Sequence, residues 1–177
     1  MFLIKVLIML FSLQIPNIGI AQSYPIYKNN SAIAVLDQDS LFTDSNWGKK
    51  ILQEVESKVK ELAAENRSIE KELELEELEL SEKRKIIKKL EFDLLAFEFD
   101  SKVKKIRENQ AKKQRKINYF LNENRSKFFK MITPLLLSLI DELGVEVLLN
   151  KDTVALASTG SDITKLTIDR INKHLEK

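Results

Sequence analysis

The sequence predicts an α+β, mostly α protein, in which a small β-containing body carries a long antiparallel coiled-coil hairpin that projects as an arm. The arm is predicted because residues 49–133 contain neither Gly nor Pro, the two residues that most often interrupt helices. A heptad repeat of apolar residues in the first half of this stretch supports the same prediction. The body is predicted by short apolar, partly β-branched segments before and after the helical region.

The composition argues against an enzyme. The 177-residue chain has no Cys and a single His, which excludes thiol catalysis, Cys-ligated zinc and disulfides and argues against a Ser-His-Asp triad. The net charge of +2 is too small to drive binding to nucleic acid. No glycine-rich phosphate loop and no metal-binding spacing of carboxylates stands in the sequence. We therefore expect no catalytic residues, cofactor, metal or nucleic-acid partner.

The first 21 residues have the layout of a secretory signal peptide. Lys5 precedes an apolar run at residues 6–13, and Gly19 and Ala21 place small residues before a cleavage site at Gln22. A membrane anchor is the alternative, but Gln14 and Pro16 end the apolar run well short of the ~20 residues that a span needs. We expect cleavage and export, with residues 22–30 as a flexible leader.

The predicted body combines residues 31–47 with residues 143–177. Residues 32–36 are a short apolar strand that ends at Asp37, and Asp37 or Asp39 can cap a short helix. Residues 145–149 and 154–157 read as two strands of a hairpin. A final helix follows, capped by Asp162 or Thr164.

The predicted arm spans residues 48–142. Its first helix carries a heptad seam in which apolar residues dominate: Leu52, Val55, Val59, Leu62, Asn66, Ile69, Leu73, Glu76 and Leu80. Acidic residues crowd residues 70–82 and basic residues follow at 83–89, so a turn near residue 80, with Ser81 capping the returning helix, would pair opposite charges. A single uninterrupted rod is the alternative, because no Gly or Pro forces the turn.

The returning helix is expected to continue the seam less evenly. Its apolar residues are Ile87, Leu90, Leu94, Phe97, Val103 and Ile106, and the seam resumes at Ile117. Residues 107–116 hold Ala111 as their one apolar residue. Because helices in water are stabilised mostly by a packed apolar face, this stretch should be locally soft.

Two sets of arm residues are candidates for binding. The first is a basic band expected to face residues 45–59: Lys102, Lys104, Lys105, Arg107, Lys112, Lys113, Arg115 and Lys116. It is either a surface for acidic clients, anionic lipid or lipopolysaccharide, or simply a solvated helix face. The second set, Phe92, Phe97, Phe99 and Phe120, is either part of the seam or a set of client-contacting aromatics.

The body is too small to bury a sufficient core by itself. About fifty residues without a disulfide or metal rarely stand alone, so we expect subunits to share strands or helices in an oligomer. The candidates for this shared core are the apolar strand residues Ile33, Val35, Val145, Val147, Leu149, Val154 and Leu156. The periodicity does not give the number of subunits.

The mature chain resembles the Skp/OmpH family of periplasmic outer-membrane-protein chaperones. The resemblance rests on residues 33–37 (IAVLD), on Gly48-Lys49-Lys50 at the start of the long helix, and most specifically on residues 144–149 (GVEVLL), 154–157 (VALA) and 161–164 (SDIT). It implies a jellyfish-like homotrimer in the periplasm that holds unfolded outer-membrane proteins without ATP. Lys165 departs from the family pattern, in which an acid often follows the Thr.

Two functions are therefore weighed. A holdase chaperone, which binds unfolded outer-membrane proteins between its arms and prevents their aggregation, explains both arm and body. A structural coiled-coil spacer or adaptor of the cell envelope explains the arm but leaves the terminal strands unexplained.

Overall fold

The chain folds into a small body and one helical arm. The structure, a computed structural model, describes residues 32–175, so the predicted signal peptide and leader lie outside the described residues. The order of elements is β1 (Ile33–Leu36), α1 (Gln38–Thr43), α2 (Asn46–Lys83), α3 (Lys89–Leu143), β2 (Val147–Asn150) and α4 (Thr164–Leu175), with short 3-10 turns at Lys151–Thr153 and Thr159–Ser161. The predicted α+β, mostly α architecture with a long helical hairpin is confirmed.

The two strands pair in parallel, and the predicted β-hairpin is wrong. β1 lies beside β2 with Ile33 opposite Val147 and Leu36 opposite Asn150. Residues 154–157 form no strand: a 3-10 turn follows β2 directly, and Leu156 stays 94% exposed. The arm explains this pairing, because a helical hairpin returns the chain to its starting point and brings two strands more than a hundred residues apart to one place.

A network of side-chain and backbone hydrogen bonds joins the end of β1 to the start of α4. The amide of Asp37 donates to Thr164 Oγ1 over 2.9 Å, and that hydroxyl donates to Asp162 Oδ1 over 2.5 Å. The amide of Ile163 donates to the carbonyl of Val35. The Asp-Ile-Thr segment therefore caps α4 and also fixes it to the sheet.

The body core extends into the root of the arm. Phe128 on α3 is fully buried and packs edge-on against Phe42 of α1, with ring centroids 5.4 Å apart. Trp47 at the start of α2 stacks on the same Phe128 ring at 5.7 Å. Ile132 and Ile171 complete this core from α3 and α4. These aromatic contacts hold both arm helices at a fixed position on the body.

Specific residues begin and end the long helices. Ser45 Oγ accepts a hydrogen bond from the amide of Gly48 over 3.1 Å and caps α2. Gly144 adopts the left-handed conformation, with φ of 65°, and terminates α3. The turn between the helices lies at residues 84–88 rather than near residue 80: α2 continues through Ser81 to Lys83 before the chain reverses. Ser81 therefore does not cap the returning helix.

The seam of α2 follows the predicted heptad, whereas that of α3 begins in a different register. Every predicted seam residue of α2 except Val59 is buried or partly buried. On α3 the predicted seam residues Leu90, Leu94 and Phe97 instead face solvent, with exposed fractions of 77%, 62% and 71%. Phe92, Leu95 and Phe99 take their places and are partly buried. The outer half of the arm therefore carries apolar side chains on its outward surface.

Candidate functional site

The basic band lies on α3 opposite the outer half of α2. Lys102 pairs with Glu76, and Lys113 pairs with Glu65. These contacts place the band against residues 62–76 or so, not against residues 45–59 as expected. The difference follows from the position of the turn, because a later turn shifts every cross-arm pair toward the tip.

The band is only partly neutralised by these pairs. Two of its eight cations, Lys102 and Lys113, form ion pairs across the hairpin. Within residues 32–175 the other six form no ion pair: Lys104, Lys105, Arg107, Lys112, Arg115 and Lys116. The cations of the turn are placed at the arm tip, where Lys85 pairs with Glu82 and Arg84 stacks over the Phe92 ring at 5.6 Å. Residues 72–77 do not neutralise them.

A polar layer interrupts the seam in the middle of the arm. Gln110 Nε2 donates to Glu65 Oε1 over 3.0 Å, but Gln110 Oε1 is buried with no hydrogen-bond partner. Hydrogen bonds from Lys113 and then Gln110 hold the pKa of Glu65 below its ordinary value of 4.5. An open groove of about 710 Å³ borders this layer between Ile69 and Ile106. The interior of the arm is therefore loosely filled here, as the sparse sequence of residues 107–116 predicts.

Apolar side chains line the outward faces of the outer half of the arm. Leu75 and Leu78 lie on α2 and are 64% and 59% exposed. Leu90, Leu94 and Phe97 follow one another at helical spacing on α3, on the face opposite α2. The sequence pattern assigns Leu90 and Leu94 to the seam, leaves Phe97 open between the seam and contact with clients, and does not single out Leu75 and Leu78. A sequence signal that the α3 residues face outward is the second apolar set, Phe92, Leu95 and Phe99, which fits a seam equally well.

The seven body candidates fall into two groups. Val35 and Val145 are buried inside the chain itself, and Val154 is partly buried. The others point outward from the body and are exposed: Ile33, Val147, Leu149 and Leu156. Since β2 has no second strand beside it in the described residues, this apolar surface adjoins an open sheet edge.

Neither a cluster of metal-binding side chains nor a membrane-spanning helix is found in the part of the chain that the structure describes. Residues 32–175 contain no group of three or more His, Asp or Glu side chains placed to hold a metal ion. None of the helices in this part of the chain is long and apolar enough to cross a bilayer.

Comparisons with known proteins agree with this architecture. A family model described as "Outer membrane protein (OmpH-like)" matches residues 32–171. A crystal structure described as an OmpH-like outer membrane chaperone from Caulobacter crescentus CB15 superposes with a TM-score of 0.70 at 16% identity, covering 81% of this chain and 85% of that one. Comparison with curated proteins gives no match. The structural likeness concerns the fold.

Proposed function

The chain belongs to the OmpH-like outer membrane protein family, and from this premise we propose that it is an ATP-independent holdase chaperone of the periplasm. It would bind unfolded outer-membrane proteins between its helical arms and prevent their aggregation. The observation that carries the proposal is the row of exposed apolar side chains on the outer half of the arm. The description of the structural relative as an outer membrane chaperone supports the same role.

The arm has the dimensions and surface that a holdase needs. α2 contains 38 residues, so at 1.5 Å per residue it measures roughly 57 Å from its start in the body to the tip of the arm. Contiguous apolar patches on a protein surface commonly mark interaction sites. Leu90, Leu94 and Phe97 form such a patch, and they face outward where an unfolded chain can reach them. Contacts of this kind are non-directional and suit clients of unrelated sequence.

We propose that the protein assembles as a homotrimer through its body. The exposed apolar residues Ile33, Val147, Leu149 and Leu156 and the open edge of β2 would be covered by neighbouring copies. An unpaired edge strand is a ready template for pairing with another chain. Three arms around one body would enclose a space for a client.

The unpaired cations of α3 are proposed to attract acidic segments of clients. They lie on an exposed face near the apolar row, and exposed charges act over about 8–10 Å at physiological salt. Their contribution should therefore appear in the rate of capture more than in the final affinity. Anionic lipid or lipopolysaccharide would be attracted by the same cations, and a sedimentation assay with anionic vesicles distinguishes this from capture of protein clients.

The test is suppression of client aggregation. A urea-unfolded outer-membrane protein is diluted into buffer with the mature chain (residues 22–177), and turbidity is followed. We expect suppression at about one trimer per client. The variant Leu90→Ser/Leu94→Ser/Phe97→Ser should lose most of it, with client affinity falling at least about tenfold because the apolar area available for burial is lost.

A matched control separates this effect from general loss of apolar surface. Tyr119 is 69% exposed on the inner half of the arm, and Tyr119→Ser should suppress aggregation like the parent. Helix content and molecular mass should be unchanged in both variants. A parent chain that leaves client aggregation unaffected would contradict the holdase and favour an envelope spacer, for which a stable envelope partner is then expected.

A further inference from the structure

The outer half of α2 carries an apolar pair, Leu75 and Leu78, that faces away from α3. These two side chains are 64% and 59% exposed, whereas the seam residues beside them on α2 are partly buried. Because positions four apart share one face of a helix, Glu74 and Glu82 lie on the same face as Leu78, one turn away on either side. Both glutamates are exposed. The surface is therefore an apolar centre with a carboxylate at each end.

The charge around this apolar pair is strongly negative. Residues 70–82 contain seven Glu and one Lys. Within residues 32–175, two of these seven glutamates form ion pairs: Glu76 with Lys102, and Glu82 with Lys85. The Glu82–Lys85 pair is exposed to solvent on both sides, so it is weak and can exchange for another cation. The outward face of α2 is thus acidic, whereas the apolar row on α3 is followed toward the body by the basic band.

We propose that Leu75, Leu78 and the two flanking glutamates form a second client-binding surface, which takes extended segments with an apolar residue and a Lys or Arg two positions apart. The inference rests on the holdase function proposed above. Residues two apart on an extended chain lie on the same side, about 6.6–6.8 Å from each other. Leu78 lies one turn, or about 6 Å along the helix, from Glu74 and from Glu82. A client side chain on Leu78 therefore places the cation beside a carboxylate.

This spacing selects a particular part of an outer-membrane client. In the middle of a membrane β-strand apolar and polar residues alternate and point to opposite sides, so a strand with its apolar side on Leu78 would turn its cations away from α2. At the strand ends the apolar row reaches the membrane interface and gives way to polar residues. An apolar residue and a cation can there follow each other on one side. Because Leu78 has an acid on both sides, such a segment fits in either direction, and the surface should prefer strand ends to strand middles.

Two client surfaces of opposite charge would widen the range of segments that one arm can hold. The cations of the basic band attract acidic segments and repel basic ones, and the acidic face of α2 does the reverse. The α3 row offers three large apolar side chains, Leu90, Leu94 and Phe97, against two on α2. Most of the holding therefore remains with the α3 row, and the α2 surface adds a contact that depends on the charge of the segment.

Binding of short peptides tests the surface directly. The first probe repeats the order Lys-Thr-Leu-Thr-Lys, in which Lys and Leu share one side of an extended chain. The second probe has the same composition, but its Lys and Leu are adjacent and so lie on opposite sides. The anisotropy of a fluorescent label on each peptide is followed as the mature chain (residues 22–177) is added at low salt. The first probe should bind about threefold more tightly, and about 0.5 M salt should remove the difference.

Three variants locate the binding on α2. Glu74→Lys should remove most of the preference for the first probe, because attraction becomes repulsion. Glu61→Lys is the matched control: it makes the same change of charge at an exposed position of α2, roughly 21 Å along the helix from Leu75, and it should keep the preference because salt screens charges over about 8–10 Å. Leu75→Ser/Leu78→Ser should weaken binding of the first probe at least about fivefold. Helix content, measured by circular dichroism, should be unchanged in all three.

The possible failures are distinguishable. A parent chain that suppresses client aggregation but binds both probes equally overturns the α2 surface and leaves the holdase intact. A preference that survives both Glu74→Lys and the double serine variant also overturns it, because the peptide then binds elsewhere. A parent chain that leaves client aggregation unaffected overturns the holdase, and the client role of this surface with it, whichever probe binds. A lower mass of Glu74→Lys in light scattering would show that a second copy covers this face, and would overturn its use by clients.

Discussion

Gly48 allows α1 and α2 to approach more closely than a side chain would permit, and its replacement by Ala should destabilise the body. A Cβ atom at this position would lie 1.6 Å from the carbonyl oxygen of Phe42. The two backbones would have to separate by roughly 1.5 Å or more to reach van der Waals distance. That movement would break the cap in which Ser45 Oγ accepts from the Gly48 amide and donates to the Phe42 carbonyl.

The expected cost combines three effects. Overpacking a filled site costs about 1–3 kcal/mol, and loss of a helix cap costs about 1 kcal/mol. The higher helix propensity of Ala returns about 1 kcal/mol. We therefore expect Gly48→Ala to lower the free energy of unfolding by about 1–3 kcal/mol.

Urea unfolding of the mature chain measures this cost. Trp47 is the only Trp of the chain and stacks on Phe128, so its fluorescence reports the body, while far-UV circular dichroism reports the helices. Gly160→Ala is the matched control, because a Cβ there meets no atom within 4 Å, and its free energy should stay within about 0.5 kcal/mol of the parent. A Gly48→Ala protein as stable as this control would refute the close-approach argument.

Two further perturbations address the body and the arm. Hydrogen bonds from the amide and then the hydroxyl of Ser40 lower the pKa of Asp37. Burial acts to raise the pKa of Asp162, but the hydrogen bonds from Lys151 and Thr164 together outweigh burial, so the pKa of Asp162 is also lowered. The ionised carboxylates of Asp37 and Asp162 both stabilise the folded protein at pH values above their ordinary pKa of 3.8. This stabilisation is lost as the pH falls through the lowered pKa values of the folded state. Urea midpoints should therefore fall on acidification below about pH 4, and less so in Asp162→Asn. Gln110→Leu removes the buried unpartnered oxygen, so it should raise the free energy of unfolding by about 1 kcal/mol and slow amide hydrogen exchange in residues 107–116; unchanged exchange there would contradict a soft polar layer.

The sequence predicts the arm well because its signal is long and periodic. Nine seam positions repeat along α2, so the heptad pattern remains recognisable although two of these positions hold polar residues, Asn66 and Glu76. The start of α3 lacks this redundancy. Leu90, Leu94 and Phe97 compete there with Phe92, Leu95 and Phe99, and spacing alone does not choose between two apolar sets on one short stretch. The contacts with α2 decide, and they bury the second set.

The pairing of the strands could not be predicted from local pattern. Consecutive apolar segments separated by a short polar turn usually form hairpins, and residues 145–157 have that appearance. The parallel pairing of β1 with β2 depends on the return of the arm to the body, a long-range consequence of the helical hairpin. The same limit applies to the basic band, because its partners on α2 depend on where the chain reverses.

The location of that reversal leads to a last prediction, which compares a substitution that introduces a serine with one that removes a serine. The sequence suggests Ser81 as the cap of the returning helix, but the structure places it inside α2, and Lys88 occupies the capping position of α3 without a side-chain hydrogen bond. Lys88→Ser should therefore supply a cap and stabilise the arm by about 1 kcal/mol. Ser81→Ala should be neutral or slightly stabilising, by up to about 0.5 kcal/mol, because Ala favours a helix interior. Thermal unfolding followed by circular dichroism, with amide exchange at residues 89–92, measures both. A loss of about 1 kcal/mol in Ser81→Ala, with no gain in Lys88→Ser, would move the turn back to residue 80 and with it the partners of the basic band.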